Sequence, residues 1–277
     1  MKLEALSTSV LLRQIIYGQG GTGKTRFIGT LNEDPRTAPV LVLNAAGNPI
    51  TILSNKPPPV VATIEKLQDL DLAHSFLAAG QPEKHRLRDA LELPPELTFK
   101  SVAVDTITEV QLIKNDQITK TGASLLRPGD ALQIQQWGES LRFMVHMTRL
   151  FYALPIHVVL SCQERYEVKP QGGVKTRIFL QGQSGDIVPS YAELIGRMTR
   201  RKVKPSSKGA LETTGDPDKE ADEVLMTVCF WESGGSYVVK NQVAPLTLGD
   251  YTVDPTAAKV LDAIDQQIAM QHQAPAV

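Results

Sequence analysis

Short apolar, β-branched runs alternate with longer amphipathic ones along this chain, a succession of strands and helices of α/β type. Residues 10–17 and 39–43 read as buried strands, and 24–31 follows the first as a helix stopped by Asn32-Glu33-Asp34-Pro35. Residues 60–63 predict a weaker third strand. Within 64–79, Leu67, Leu70, Phe76 and Leu77 recur at helical spacing, and 82–92 reads as a charged, exposed helix. Residues 101–106 predict another buried strand, ending at Asp105-Thr106, and 106–120 a helix. After a loop at 122–129, the stretch 130–153 predicts a long amphipathic helix offering Leu132, Trp137, Leu141, Val145 and Leu150 to the core.

The second half is less regular. Residues 157–164 form a further apolar strand, this one ending in Gln163-Glu164. The stretch 165–186 is rich in glycine and cations, with a hairpin strand expected at 176–180. Between 194 and 208 stand six basic residues (Arg197, Arg200, Arg201, Lys202, Lys204 and Lys208) and no acidic one, a run that reads first as a solvated face. A polar loop follows at 205–222. Residues 223–231 and 237–243 alternate like an antiparallel pair around Gly234-Gly235, and a last helix is expected at 256–271. With no internal repeat and no boundary of composition, the expectation is one domain over 1–277, with a core at 10–246 and a C-terminal helix and tail at 247–277, after a polar lead-in at 1–9.

Composition narrows the class without changing this picture. Hydrophobic content of 42% and charged content of 21% are those of an ordinary globular protein. No apolar run approaches the ~20 residues of a membrane span, and no charged-then-apolar leader opens the chain. Cys162 and Cys229 lie inside apolar runs and read as buried thiols, so the expectation is a cytoplasmic protein with no membrane partner. A net charge of −1 offers no overall attraction to nucleic acid, which leaves that role to a local patch.

The chemistry concentrates between the first strand and its helix. Gly18-Gln19-Gly20-Gly21-Thr22-Gly23-Lys24-Thr25 satisfies the phosphate-loop pattern G-x-x-x-x-G-K-[ST] in full, and Arg26 follows it. Glycines allow a tight turn that points successive N–H groups at a phosphate. Lys24 can reach β- and γ-phosphate oxygens, and the Thr25 hydroxyl can ligate Mg²⁺. The strand ending at Asp105 has the Walker B form, in which a carboxylate holds the metal opposite the phosphate loop. ATP and Mg²⁺ are the expected ligands. Gln163, at the end of a strand beside the nucleotide strand, is equally well a γ-phosphate sensor or an ordinary strand-end amide.

These stretches resemble the RecA-like ATPase core, an α/β P-loop NTPase with a mainly parallel central sheet flanked by helices and a C-terminal antiparallel extension. Within it they look most like the phage Sak-type single-strand annealing ATPases of recombination modules. Residues 17–25 (YGQGGTGKT), 102–110 (VAVDTITEV), 158–164 (VVLSCQE) and 238–245 (VVKNQVAP) carry the resemblance. It implies a DNA-dependent ATPase that assembles as a ring or filament on single-stranded DNA, with a phage single-strand binding protein as a further partner and the host cytoplasm as its location. It further implies that Lys240 reaches the neighbouring subunit's nucleotide, although Gln242 replaces the second cation of that segment. It places DNA-binding loops after the later core strands, where Arg165, Tyr166, Lys169, Lys175 and Arg177 offer cations and a ring.

Two departures keep alternatives open. The segment after the second strand, Leu43-Asn44-Ala45-Ala46-Gly47, lacks the glutamate that RecA-like enzymes use to polarise water, leaving Glu109 and Glu164 as substitutes. Weak hydrolysis, with ATP acting mainly as a binding switch for assembly, is therefore one expectation, and a non-hydrolysing, nucleotide-dependent DNA-annealing scaffold is one alternative. A P-loop kinase is another, with Arg86 and Arg88 as lid cations, and an AAA+ remodelling enzyme is disfavoured because Thr106, not glutamate, follows Asp105.

Overall fold

The β-branched runs line up side by side because each is apolar on both faces and needs cover above and below. The computed structural model describes residues 10–47, 55–121, 132–168, 172–203, 224–232 and 236–273. The lead-in 1–9, the loops expected at 122–129 and 205–222, the Gly234-Gly235 turn and residues Lys169, Lys204 and Lys208 lie outside them. Among the described residues the strands are β1 (Arg13–Gly18), β2 (Val40–Asn44), β3 (Val60–Thr63), β4 (Ser101–Asp105), β5 (His157–Val168), β6 (Val174–Ile178), β7 (Leu194–Val203), β8 (Val224–Phe230), β9 (Lys240–Asn241) and β10 (Tyr251–Val253). The helices are α1 (Lys24–Thr30), α2 (Leu67–Ala78), α3 (Arg86–Ala90), α4 (Ile107–Thr121), α5 (Ile134–Tyr152), α6 (Ser184–Ile187) and α7 (Ala257–Gln273).

The sheet runs β10-β8-β7-β1-β5-β4-β2-β3. From β7 to β3 all neighbours are parallel, and β8 and β10 extend the β7 edge antiparallel. β1 thus lies near the middle, and β5 separates it from β4. Strand alternation divides the core. One face carries Tyr17, Leu43, Val104, Leu160 and Cys162, packed with side chains of α2, α4 and α5 such as Phe76, Ile107 and Met144. The other carries Ile16, Val42, Ala103, Val159 and Met198 under Phe27 and Ile28 of α1 and Val260 of α7.

Several expectations need correction. The core positions predicted for the helix at 130–153 (Leu132, Trp137, Leu141, Val145, Leu150) are only half-buried, Leu132 preceding α5, and the buried stripe is Ser140, Met144, Met147, Thr148 and Phe151. Small hydroxyl residues can line a buried stripe when satisfied, and Thr148 Oγ1 donates to the Met144 carbonyl at 2.8 Å. The charged helix at 82–92 shrinks to α3, in which Leu87 and Arg88 are buried. The hairpin strand β6 begins two residues earlier than the expected 176.

The basic run is not simply a solvated face. Its first part is β7, pairing parallel with β1 through Gln14↔Leu194 to Tyr17↔Arg197. The late strands also pair differently from the expectation. β8 and β9 do not pair with each other, since both lie antiparallel along β7. β8 then takes β10 as its other neighbour, a strand from a stretch with no predicted element. Gly196 makes this arrangement possible, because a Cβ there would collide with the Trp231 ring and lie 2.6 Å from Cys229 Sγ.

Candidate nucleotide site

β1 stops at Gly18 because the chain must turn there under β7. A Cβ on Gly18 would strike the Met198 carbonyl and approach Thr22 Oγ1 to 2.8 Å. Gly23 has φ +96°, a conformation that costs other residues strain, and it delivers the chain into α1. Between them Gln19, Gly20 and Gly21 are exposed. The Thr22 hydroxyl closes the loop on the Gln19 carbonyl at 2.9 Å. Lys24 is buried, and its ammonium donates to the Gly18 and Gln19 carbonyls at 2.8 Å each. Burial lowers its pKa, while Asp105 and Glu164 work in the other direction. A cation is thereby held inside the loop's curve.

Asp105 meets the loop from the neighbouring strands. Thr25 Oγ1 donates to Asp105 Oδ2 at 2.8 Å, and Ser161 Oγ donates to Asp105 Oδ1. Alternation explains the meeting. Ala103 and Asp105 of β4, and Val159, Ser161 and Gln163 of β5, project on the face that α1 covers. Thr25 and Asp105 are hard oxygen donors of the kind Mg²⁺ takes, and two protein ligands suit an ion that keeps several waters and phosphate oxygens. No group of three or more His, Cys, Asp or Glu side chains that could hold a metal occurs among the described residues.

The remaining sequence candidates divide. Gln163 pairs in register with Gly18, and its backbone is fixed at both ends, the N–H on Thr108 Oγ1 at 3.0 Å and the carbonyl on the Phe179 N–H at 2.7 Å. It therefore stands at the mouth of the loop, on the Asp105 side of the sheet. Glu109 opens α4, its N–H donating to Thr106 Oγ1 at 3.3 Å, on the helix that covers the opposite face. Glu164 also belongs to that opposite face. Its carboxylate accepts from Arg197 Nε at 3.0 Å and from the Tyr166 hydroxyl at 2.9 Å, with the Glu164 side chain 3% and the Arg197 side chain 12% exposed. Asn44, in register with Asp105, occupies the end of β2 where no carboxylate was found.

Other candidates are engaged elsewhere. Arg26 pairs with Asp254 at 3.2 Å on the surface. Lys240 donates to the Ser190 and Ala192 carbonyls at 3.1 and 2.7 Å, and β9 lies beside the beginning of β7, whereas the phosphate loop abuts Met198 farther along it. Arg177 lies between Glu167 at 2.5 Å and Asp186 at 2.6 Å. Arg165 and Lys175 are half-buried on the β5–β6 hairpin, and Tyr166 is 54% exposed. Arg88, weighed as a lid cation, is buried and donates to the Pro82, Gln81, Leu97 and Pro94 carbonyls; Arg86 is exposed on α3.

Sequence reasoning missed Ser161 and Arg197. Ser161 looked like part of an apolar strand, and Arg197 like one cation among six. The signal for Arg197 was its place in Leu194-Ile195-Gly196-Arg197-Met198, where buried strand residues stand on both sides of it.

The sequence model of the AAA domain family matches residues 12–228. A search of curated proteins gives no match. One similar solved structure is a prototypical ATPase from the type III secretion system of pathogenic bacteria, with 14% identity and a TM-score of 0.42 over 68% of this chain. This chain spans about half of that one, 51% of its length. The family match covers the phosphate loop, β4 and β5 together, although β4 ends Asp105-Thr106 rather than in an Asp-Glu pair. No helix among the described residues is long and apolar enough to cross a membrane.

Proposed function

Because this chain belongs to the AAA domain family, a P-loop ATPase family, we propose that it binds ATP with Mg²⁺ on the loop 18–26 and hydrolyses it in response to single-stranded DNA. The observation that carries the nucleotide reading is the 2.8 Å contact from Thr25 to Asp105, which joins the two halves of the motif on one face of the sheet. Lys24 exchanges its carbonyl partners for phosphate oxygens, a stronger, charge-assisted contact. Thr25 and Asp105 would hold Mg²⁺, which would supply neutralisation of charge developing on the phosphoryl group. Gln163 at the loop mouth directs its amide to the γ-phosphate. Glu109 and Glu164 are the carboxylates available to orient water, and the Glu164 carboxylate already has Arg197 and Tyr166 as partners.

The DNA reading draws its support from the β5–β6 hairpin. The hairpin carries the exposed Tyr166 for stacking and Arg165 and Lys175 as cations, and Lys169 adds a cation in the sequence. In this reading the protein acts in phage-type recombination or annealing, assembled as a ring or filament in which Lys240 is a trans-acting cation. Asn44 beside Asp105 favours a second reading, slow turnover with ATP serving as an assembly switch.

Phosphate release measured with and without single-stranded DNA, over a range of protein concentration, tests both. Stimulation by DNA and a rise in turnover per subunit with concentration, lost in Lys240→Ala, support the first reading. ATP-dependent assembly with negligible release supports the second. Turnover indifferent to DNA, concentration and Lys240 contradicts the DNA-linked, trans-acting machine.

A further inference from the structure

β1 lies between β5 and β7, and on one face its end is bridged from above. Glu164 follows Cys162 on that face of β5, and Arg197 follows Ile195 on that face of β7. Their side chains meet across the end of β1 at 3.0 Å, largely out of water. The Arg197 guanidinium also rests 5.3 Å from the centroid of the Tyr237 ring. This pair is a fixed anchor, because a buried guanidinium and carboxylate each lose heavily if the other is removed.

A second set of contacts leads from the anchor into the phosphate loop. The Tyr166 hydroxyl donates to the free Glu164 oxygen, Oε1, at 2.9 Å and accepts from Gln19 Nε2. Gln19 belongs to the loop itself, and its carbonyl is one of the two that hold Lys24. The same hairpin is tied at its other strand, where the Thr176 N–H donates to the Ser236 carbonyl at 2.7 Å. Two residues on, the Val238 N–H donates to the Tyr17 hydroxyl at 3.0 Å. The ring of Tyr166 faces solvent while its hydroxyl is held from both sides.

We propose that Tyr166 is a positioning residue for the phosphate loop: its hydroxyl ties Gln19 to the buried Glu164–Arg197 pair, so that the β5–β6 hairpin and the loop change conformation together. Whatever engages the exposed ring is then felt at Gln19, and whatever displaces Lys24 from the Gln19 carbonyl is felt in the hairpin. Coupling of this kind is reciprocal: each ligand changes the other's affinity by the same factor. That consequence rests on the nucleotide reading given above, whereas the tether itself does not.

Tyr166→Phe keeps the ring and removes only the hydroxyl. In the free protein, amide exchange of residues 18–23 should speed up about fivefold while that of β2 and β4 stays as in the wild type. Gln19→Ala should do the same, and the double variant should add little to either single one, because both changes cut one link. With a slowly hydrolysed ATP analogue and Mg²⁺, the wild type should change exchange in 174–178, and Tyr166→Phe should bind the analogue without that response. Unchanged exchange at 18–23 in Tyr166→Phe, additive effects in the double variant, or an intact hairpin response in Tyr166→Phe would overturn the proposal. A wild type that binds no nucleotide, yet whose loop loosens in Tyr166→Phe, contradicts the proposed function and supports the tether.

Discussion

Thr25 Oγ1 and Asp105 Oδ2 lie 2.8 Å apart although 80 residues separate them in the chain. Two strand ends produce the meeting. β1 leads through its loop into α1, which starts at Lys24 and carries Thr25 over the sheet, and β4 stops at Asp105 on the face α1 covers. The hydroxyl and carboxylate are the pair proposed above to hold Mg²⁺. An absence of charge at Asp105 should be felt in turnover before it is felt in shape.

Asp105→Asn preserves the side chain's outline but removes the charge proposed to face Mg²⁺. Turnover should fall by about 100-fold or more, while ATP affinity changes by less than about tenfold. Steady-state phosphate release beside a nucleotide titration separates the two. Near wild-type turnover would reduce Asp105 to a strand-end partner of Thr25 and Ser161.

Gly196→Ala introduces a methyl group into the space of the Trp231 ring and Cys229 Sγ. Neither neighbour can yield easily, since both are buried. The expected loss is about 1–3 kcal/mol, typical of overpacking in a well-filled core. A thermal unfolding midpoint equal to the wild type would mean that β8 is free to shift away from β7.

The outline of this fold was legible because parallel strands buried on both faces have an unmistakable composition. Val40–Asn44 and Ser101–Asp105 are buried at every position, and both were read within one residue of their ends. β7 was not, because its first half is apolar while Arg200, Arg201 and Lys202 dominate the rest. A charge count hides a strand that passes from the core to the surface. The pairing of β8 and β9 failed for another reason. Proximity in sequence suggested a hairpin, and only tertiary packing reveals that β7 is long enough to accept both. The site divides in the same way. The phosphate loop was specified by the local pattern Gly18 to Gly23-Lys24-Thr25, whereas Ser161, Arg197 and the Tyr166–Gln19 contact depend on strand order and register.

His157 carries a pH dependence with a definite sign. Burial lowers its pKa below 6.5, nearby Arg13 adding to the effect, and its Nδ1 accepts the Leu12 N–H at 3.0 Å, which only the neutral ring can do. Below pH 6.5 the unfolded chain therefore binds a proton that the folded protein refuses. Stability from this group is complete above that value and is lost as pH falls towards the folded-state pKa. Denaturant unfolding at successive pH values should show the decline, and His157→Gln should flatten it. An equally steep decline in His157→Gln would assign the effect to other groups.

Titration of Mg²⁺-ATP into the wild type and into Lys24→Ala, each shown to be folded, tests the nucleotide site most directly. The wild type should bind, and Lys24→Ala should lose at least about 10- to 100-fold in affinity, the worth of a buried charge-assisted contact. A folded Lys24→Ala protein that binds ATP as tightly as the wild type, or a wild type that binds none, would contradict the nucleotide site on which the account rests.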